Sequence, residues 1–193
     1  MALSRHAQRQ LAFQTLYSLF FTPVNELDEL KKLFQFTPVE QSPEKPAAAD
    51  KAEPAPEAEN DSAPKKKRKN AAKEEAAEAP APEPLRQASG LAWELVRGVW
   101  ENGAVIDKLI TEVANRGMER IGRIEQVILR MASYEMMTTK ADELKIILSE
   151  AVILSNEFGD DRSRQFINGI LNGISRRVLE EKLTLPHSNR QAV

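Results

Sequence analysis

The chain has 193 residues, no cysteine and a formal net charge of −2. The lack of cysteine excludes disulfides and thiolate metal sites. Outside residues 38–84 the net charge is also close to zero, which excludes a general polyanion binder, so any nucleic-acid contact needs a local patch. The length suits one ordinary domain or two very small ones. Because no secretory leader and no run long enough to span a bilayer is seen, we expect a soluble cytoplasmic protein without a membrane partner.

The segment before residue 38 predicts two helices, because apolar residues recur in it at helical spacing. The first stripe consists of Ala7, Leu11, Leu16, Leu19 and Phe20. The second, shorter stripe consists of Leu27, Leu30, Leu33 and Phe34. We expect Asn25 to cap the second helix. A segment this short cannot fold alone, so we expect residues 1–37 to pack on the part of the chain after Leu85.

Residues 38–84 are rich in Ala, Pro, Glu and Lys and contain no aromatic residue, Leu or Ile. Such a segment cannot bury enough apolar surface to offset the entropy of ordering it, so it is predicted to be a disordered insert. It contains the densest basic run, Lys65–Lys69, which is either a nonspecific RNA tether or part of a solvating linker. The predicted organisation is one helical domain made of 1–37 and 85–182, interrupted by this insert and followed by a flexible tail, 183–193.

After the insert, a helical stripe from Ala88 to Val99 predicts a long helix. Gly103 is expected to break or kink it before a second stripe, from Ile106 to Val113. Gly117 and Gly122 bracket the next connection. This spacing resembles that of a phosphate loop, but the Lys-Ser/Thr ending and the preceding strand are missing, so we interpret the segment as a turn.

The last part of the chain predicts three more helices. The first contains Ile124–Met131, and Asp142 is expected to cap the second. Gly159 is expected to end the second helix, and Ser163 to begin the last one, which runs to about Leu179. No segment alternates with period two over a useful length. The predicted fold class is therefore all-α, a compact bundle of about seven helices.

The last predicted helix contains two glycines, Gly169 and Gly173, which share one helical face because they lie four residues apart. Glycine costs about 1 kcal/mol against alanine inside a helix. Their presence therefore indicates that another element or a partner comes close to this face.

The usual signals of an enzyme are weak in this chain. The two histidines, His6 and His187, have no set of partner residues that suggests a metal site or a catalytic triad. Carboxylates are plentiful, but they lie on amphipathic helices, where a solvated face explains them. We therefore predict a protein without catalysis, metal or cofactor.

Two groups of residues are candidates for contact with RNA. Arg5 and Arg9 lie on the first predicted helix, and Arg164 and Phe166 begin the last one. Arginine suits phosphate through its planar, multi-donor head. An aromatic ring near a helix N-terminus can stack a single-stranded base while the helix end holds phosphate. From the residues alone, a solvated face for the arginines and a core position for Phe166 are the favoured alternatives.

Taken in order, several segments resemble the NusB family of bacterial transcription antitermination factors. The resemblance covers about Ser4–Phe21 and Leu91–Val178, and it rests on the order of the segments rather than on any one of them. They read RQLAFQTLY at 9–17, LVRGV at 95–99, IE at 124–125, LRMASYEM at 129–136, SEAV at 149–152, EFG at 157–159 and SRQFINGIL at 163–171.

The resemblance implies a fold of two small packed helical bundles. It implies binding to boxA RNA together with NusE, the small-subunit ribosomal protein, in a complex that joins RNA polymerase and suppresses termination in ribosomal RNA operons. The positions that face RNA in the family correspond here to Arg5, Arg9, Arg164 and Phe166, which reverses the interpretation of Phe166 as a core residue. The positions that contact the protein partner correspond to Tyr17, Glu125 and Arg130.

The chain also departs from the family pattern. Its N-terminal arginines are few and interleaved with Gln and His, and an acidic position common in the loop before the last helix is Arg162 here. One alternative is a helical protein–protein adaptor with weak or lost RNA binding. Another is a relative of the RNA-binding domain of ribosomal RNA cytosine methyltransferases, although that chemistry needs a second domain and a cysteine. A homodimer stays open, because an apolar stripe looks alike whether it faces a core or a sister subunit.

Overall fold

The computed structural model describes residues 3–37, 87, 89–181, 183 and 185. Within these ranges the chain forms six α-helices and two 3₁₀ turns, without a β-strand. The helices are α1 (Arg5–Ser18), α2 (Leu27–Phe36), α3 (Gly90–Ala114), α4 (Arg123–Thr138), α5 (Leu144–Phe158) and α6 (Asp161–Glu181). The turns are Met118–Arg120, before α4, and Ala141–Glu143, before α5. The predicted all-α fold class is confirmed.

The bundle is built around α4, which packs against α1, α3, α5 and α6. Most of its residues are buried, including the polar Gln126, Ser133 and Glu135, as expected of a helix that other helices surround. Ile128, Leu129 and Met136 are fully buried on it. Burying a side chain of this size contributes about 1.5–3 kcal/mol, so α4 anchors the core. None of the helices in the described ranges combines the length and apolar character that crossing a bilayer requires.

Glycine allows two close approaches between helices. A Cβ atom at Gly98 on α3 would overlap with the ring of Tyr134 on α4. At Gly173 on α6, a Cβ atom would lie 2.6 Å from Cγ1 of Val113 on α3. At Gly169, however, the space where a Cβ would lie is open among the described residues. The expected close neighbour is therefore present at Gly173 but not at Gly169.

The two helices before residue 38 pack on the helices that follow residue 89. α1 lies against α3 and α4, and α2 lies against α3. α2 buries Leu30 and Phe34 completely, and the rings of Phe34 and Trp93 are 5.4 Å apart. The segment 3–37 and the segment 89–181 thus share one apolar core.

The chain on both sides of the predicted insert is tied to α1. Thr15 Oγ1 donates a hydrogen bond to Thr37 Oγ1 at 3.2 Å. Nearer the start of α1, the side-chain oxygen of Gln8 accepts a hydrogen bond from the backbone N–H of Ala92 at 3.4 Å. The predicted insert, 38–84, and most of the predicted tail, 183–193, lie outside the described residues, so their predicted disorder stays a prediction.

Before α4, one predicted helix break and one predicted helix cap are wrong. α3 passes through Gly103 without a break, because Asn102 and Ile106 on either side are buried and hold the helix in place. α2 begins after Glu26, and Asn25 does not cap it. The backbone N–H of Asn25 instead donates to the carboxylate of Glu29 at 3.1 Å.

Two more helix starts differ from the prediction after α4. Asp142 lies inside the second 3₁₀ turn, and α5 begins at Leu144 without a side-chain cap. α6 begins at Asp161, two residues before the predicted start at Ser163. The reason is Asp160, whose carboxylate accepts a hydrogen bond from the backbone N–H of Ser163 at 2.7 Å and so supplies the N-terminal cap.

Candidate nucleic-acid and partner interface

Phe166 lies on the first turns of α6 and is half-buried. It packs partly against the core. The guanidinium carbon of Arg116 lies over its ring, 5.0 Å from the ring centroid, which is a cation–π distance. Arg116 follows Asn115, whose left-handed backbone (φ 50°) ends α3. The turn after α3 therefore places a cation on an aromatic ring that α6 supplies.

A cleft of about 260 Å³ opens beside Phe166, between the turn after α3 and the start of α6. Its lining includes three arginines, Arg116, Arg120 and Arg162, all of them exposed. Two carboxylates, Asp160 and Glu125, also line it, which leaves the lining with more positive than negative charge. An aromatic ring beside exposed guanidinium groups is the arrangement that stacks a base and binds its phosphate.

The two carboxylates of this cleft are engaged by Ser163. Glu125 accepts a hydrogen bond from the Ser163 hydroxyl. Asp160 accepts one from the Ser163 backbone N–H. The hydrogen bond from the Ser163 backbone N–H lowers the pKa of Asp160 below its usual value. Both carboxylates are therefore bonded within the local structure of the cleft, where Asp160, like the three arginines, is exposed to solvent.

Arg116 and Arg120 were not among the residues singled out from the sequence. They lie in the connection after α3, about 50 residues before Phe166 in the chain. Arg116, Arg120 and Arg123 recur at intervals of four and three residues in a connection otherwise interpreted only as a turn. That basic recurrence next to a glycine-bounded turn was the available signal.

The other RNA candidates lie outside this cleft lining. Arg164 is exposed and lies 3.7 Å from the carboxylate of Asp161, one turn earlier on α6. Arg5 is exposed and lines a second groove, of about 690 Å³, with Trp93 and Arg97 of α3. Arg5 and Phe166 therefore belong to two different grooves.

Arg9 is buried, with only 4% of its surface exposed. Its guanidinium makes two hydrogen bonds to the carboxylate of Glu135 on α4, of which the one from Nε is 3.0 Å long. It also lies 3.7 Å from the carboxylate of Glu150 on α5. Burial lowers the pKa of Arg9, but the hydrogen bonds and charges of these carboxylates outweigh it and raise the pKa overall. Arg9 is thus a fixed cation that joins three helices.

An aromatic surface forms at the end of α1. Tyr17 lies 6.1 Å from the ring of Phe20 and 5.6 Å from that of Phe21. Phe21 is 63% exposed. The guanidinium of Arg123 lies over both phenylalanine rings, at 5.5 and 5.3 Å. We call Tyr17, Phe20, Phe21, Arg123 and Arg130 the aromatic surface.

Arg130 joins this surface to α3. It makes two hydrogen bonds to the carboxylate of Asp107, at 2.7 and 2.8 Å, and its guanidinium carbon lies 6.0 Å from the Phe20 ring. An apolar cleft of about 240 Å³ lies here, lined by residues that include Phe20, Trp100 and Arg130. The structure therefore brings Tyr17 and Arg130 together, whereas Glu125 lines the cleft beside Phe166.

A sequence model of the NusB family matches residues 55–176 of the chain. The chain is 36% identical, over 183 residues, to the transcription antitermination protein NusB of Nitratidesulfovibrio vulgaris strain Miyazaki F, across 94% of this chain and 93% of that protein. It is 32% identical to the protein of the same description from Desulfovibrio desulfuricans, across 91% of this chain and 86% of that protein.

The fold also matches a solved structure, that of T. maritima NusB. The TM-score is 0.58 and the sequence identity 19%, and the match covers 91% of this chain and 93% of the other. At this identity the structural likeness supports the fold, and the family assignment comes from the sequence matches.

Proposed function

The chain belongs to the NusB family of transcription antitermination proteins, and from this premise we propose that it binds boxA-type RNA together with NusE. In this proposal the complex joins RNA polymerase in the cytoplasm and suppresses termination in ribosomal RNA operons, without catalysis. The observation that carries the proposal is the arginine-lined cleft beside Phe166.

We propose that a base of single-stranded RNA stacks on Phe166. The ring is half-buried, so it is held in place, and one of its faces already accommodates the planar guanidinium of Arg116. A base that enters the cleft either replaces this guanidinium or stacks beyond it, since both are flat and both favour an aromatic face. Arg120 and Arg162 are exposed in the same cleft and would contact the phosphates on either side of the base.

The remaining predicted RNA residues have different access to phosphate. Arg5 and Arg164 are exposed and are proposed as direct phosphate contacts that extend the path beyond the cleft. Arg9 stays in the proposed set, but its guanidinium is already bonded to Glu135. A direct phosphate contact by Arg9 would therefore require phosphate to take the place of a carboxylate.

The aromatic surface is proposed as the contact with NusE. It combines an exposed apolar ring, Phe21, with a half-buried tyrosine, Tyr17, and a guanidinium, Arg130, that its partner Asp107 fixes. Aromatic residues and arginine are the residue types that dominate binding energy at protein interfaces. Glu125, the third predicted partner residue, lines the cleft beside Phe166. We propose that it fixes the start of α6 there through its hydrogen bond with Ser163.

The experiment that tests this function is fluorescence anisotropy of a labelled boxA-type RNA and a scrambled RNA of the same composition. Both are titrated with the full chain, in the presence and absence of NusE from the same organism. We expect selective binding to the boxA-type RNA that NusE strengthens. Equal binding to both RNAs in all conditions would contradict the proposal.

A helical adaptor with weak or lost RNA binding is the second candidate function. The burial of Arg9 favours this candidate, because the N-terminal segment has few arginines and this one is not accessible to RNA. In the same titrations the adaptor would raise the anisotropy of neither RNA, with or without NusE. The two candidates therefore differ in one measured quantity, the affinity for boxA-type RNA in the presence of NusE.

A further inference from the structure

The first turn of α1 is joined to α5 by a histidine that lies between two glutamates. His6 Nδ1 lies 3.0 Å from an oxygen of Glu150, and Nε2 lies 2.9 Å from an oxygen of Glu157. Glu150 and Glu157 are two turns apart on α5 and share one of its faces. We call these three residues the His6 clasp.

The geometry of the clasp determines the protonation state of its histidine. A carboxylate at neutral pH only accepts hydrogen bonds, so both ring nitrogens of His6 must donate. A neutral imidazole has one N–H, and only the imidazolium ion has two. With either neutral tautomer, a nitrogen lone pair would face a carboxylate oxygen at a distance of about 3 Å.

The surrounding charges also favour the imidazolium. Arg9 of α1 faces the same region and is matched by Glu135 of α4, to which it makes two hydrogen bonds. It lies at the longer distance of 3.7 Å from Glu150. With a neutral His6, Glu135 and Glu150 would share the single charge of Arg9, and Glu157 would face only the neutral His6 ring and the neutral amide of Gln10. With a charged His6, each of the α5 glutamates has a cation within hydrogen-bond distance.

Gln10 completes the surroundings of the clasp. Its side-chain amide donates to the second oxygen of Glu157 at 3.0 Å, which leaves the first oxygen for His6. Burial lowers the pKa of His6, but the hydrogen bonds and charges of Glu150 and Glu157 outweigh it and raise the pKa above its ordinary value of 6.5.

We propose that His6 is held as an imidazolium at neutral pH and acts as a pH-sensitive clasp that fixes the first turn of α1 on α5. Loss of one proton at alkaline pH leaves a single donor for two carboxylates, so the contact with one glutamate opens and the turn loosens. Ser4 caps this turn and Arg5 begins it, so the clasp also determines where Arg5 is presented. The clasp belongs to the folded chain alone and does not require RNA.

The direction of the pH dependence follows from the raised pKa of His6. The clasp stabilises the fold fully below the pKa of histidine in the unfolded chain, near 6.5, and the stabilisation is lost as the pH rises through the folded pKa. The clasp therefore weakens on the alkaline side of the His6 titration.

The direct test is an NMR titration of the histidine ring nitrogens in the full chain. The variant His187→Gln leaves His6 as the only histidine and so assigns its signals. We expect both nitrogens of His6 to be protonated at pH 7, with a midpoint above that of the same residue in the urea-unfolded chain. A single neutral tautomer at pH 7, or a midpoint at or below the unfolded value, would overturn the proposal.

A second test compares urea unfolding at pH 6.5 and pH 9 in four proteins: the unchanged chain, His6→Arg, His6→Gln and His187→Gln. The unchanged chain and His187→Gln should lose stability as the pH rises. His6→Arg keeps a positive charge at both pH values, so its free energy of unfolding should fall less as the pH rises. His6→Gln should be less stable than the unchanged chain at pH 6.5 and equally stable at pH 9. An equal loss of stability between pH 6.5 and pH 9 in His6→Gln and in the unchanged chain would contradict the clasp. The NMR test does not depend on whether His6→Arg folds.

Discussion

At the residue scale, Phe166 and Arg9 show how one side chain can combine structural and binding properties. The sequence offered a core position and an RNA-stacking position as alternatives for Phe166. In the structure the ring packs partly against the core and also lies under the guanidinium of Arg116. Arg9 is the opposite case, because a residue selected for phosphate binding is buried among carboxylates.

Replacing Phe166 by alanine should weaken RNA binding by about 1–3 kcal/mol, the contribution of one base stacked on an aromatic ring. Helicity measured by circular dichroism should be retained, because the ring is only half-buried. The matched control is Phe21→Ala, which removes an exposed ring from the aromatic surface and should leave the affinity for RNA alone unchanged. An unchanged affinity in a folded Phe166→Ala protein would rule out stacking at this position.

Replacing Arg9 by alanine should destabilise the fold by about 3–5 kcal/mol, because it leaves the buried carboxylate of Glu135 without its partner. Urea unfolding measures this loss. The double variant Arg9→Met/Glu135→Met removes both members of the pair and should recover most of the stability. If Arg9→Ala instead unfolds like the unchanged chain and only binds RNA less well, Arg9 is a phosphate contact and its ion pairs contribute little.

At the element scale, the existence of each helix could be predicted from the sequence, but the starts of several helices could not. A helix follows from apolar residues at helical spacing within the same segment, which is local information. A cap depends on which of several neighbouring polar side chains reaches a free N–H, so Asp160 rather than Ser163 determines where α6 starts. The continuity of α3 through Gly103 depends on packing by other helices, which outweighs the weak helix preference of glycine.

The candidate site depends even more on information from distant parts of the chain. Arg9 and Glu135 are 126 residues apart in the sequence, so the burial of Arg9 could not be inferred from its neighbours. The cleft beside Phe166 is completed by Arg116 and Arg120, which a separate connection supplies. Phe166 could be selected from the sequence through a resemblance, whereas the arginines around it required the packing of α3 against α6.

The two glycines of α6 should respond differently to alanine. Gly169→Ala should stabilise the protein by about 0.4–1 kcal/mol, because it restricts the unfolded chain and meets open space in the folded one. Gly173→Ala should stabilise less or destabilise, since its Cβ would lie 2.6 Å from Val113. Urea unfolding of both variants measures the difference. A destabilised Gly169→Ala would show that this face is already covered in the isolated protein.

At the scale of the whole molecule, the described helices form one core from two segments that the predicted insert separates in sequence. The chain on either side of the insert is held on α1, at Thr15 and at Gln8. These two positions are seven residues apart, which corresponds to about 10 Å along a helix. The core therefore requires the insert only as a connection between two neighbouring points.

Replacing residues 38–84 by a short Gly/Ser linker of about eight residues should leave the fold intact, since such a linker can extend beyond 20 Å. The shorter loop should raise the free energy of unfolding by up to about 1.5 kcal/mol, because each halving of loop length saves about 0.6 kcal/mol of closure entropy. Urea unfolding checks this expectation. A scrambled insert of the same length and composition is the control, and a marked loss of stability with the linker would mean that residues 38–84 contribute contacts to the core.

The same protein tests whether Lys65–Lys69 compensates for the few N-terminal arginines. If this run contacts RNA phosphates, the slope of log affinity against log salt should fall by about 0.7 for each phosphate contact that is lost on deletion. Replacing all five basic residues by glutamine in the full-length chain separates charge from length. An unchanged affinity and an unchanged slope in both proteins would show that the run is a solvating linker.

Because Thr37 and Ala92 are both attached to α1, this part of the bundle is an insertion site for additional sequence. The two attachment points on α1 lie about two helical turns apart. Segments of very different length can therefore connect them, as at other sites that accept inserted domains. A folded reporter domain whose termini lie close together could be inserted here without a change in the packing of α4 and α6. The length of this connection can then change without a change in the helical core.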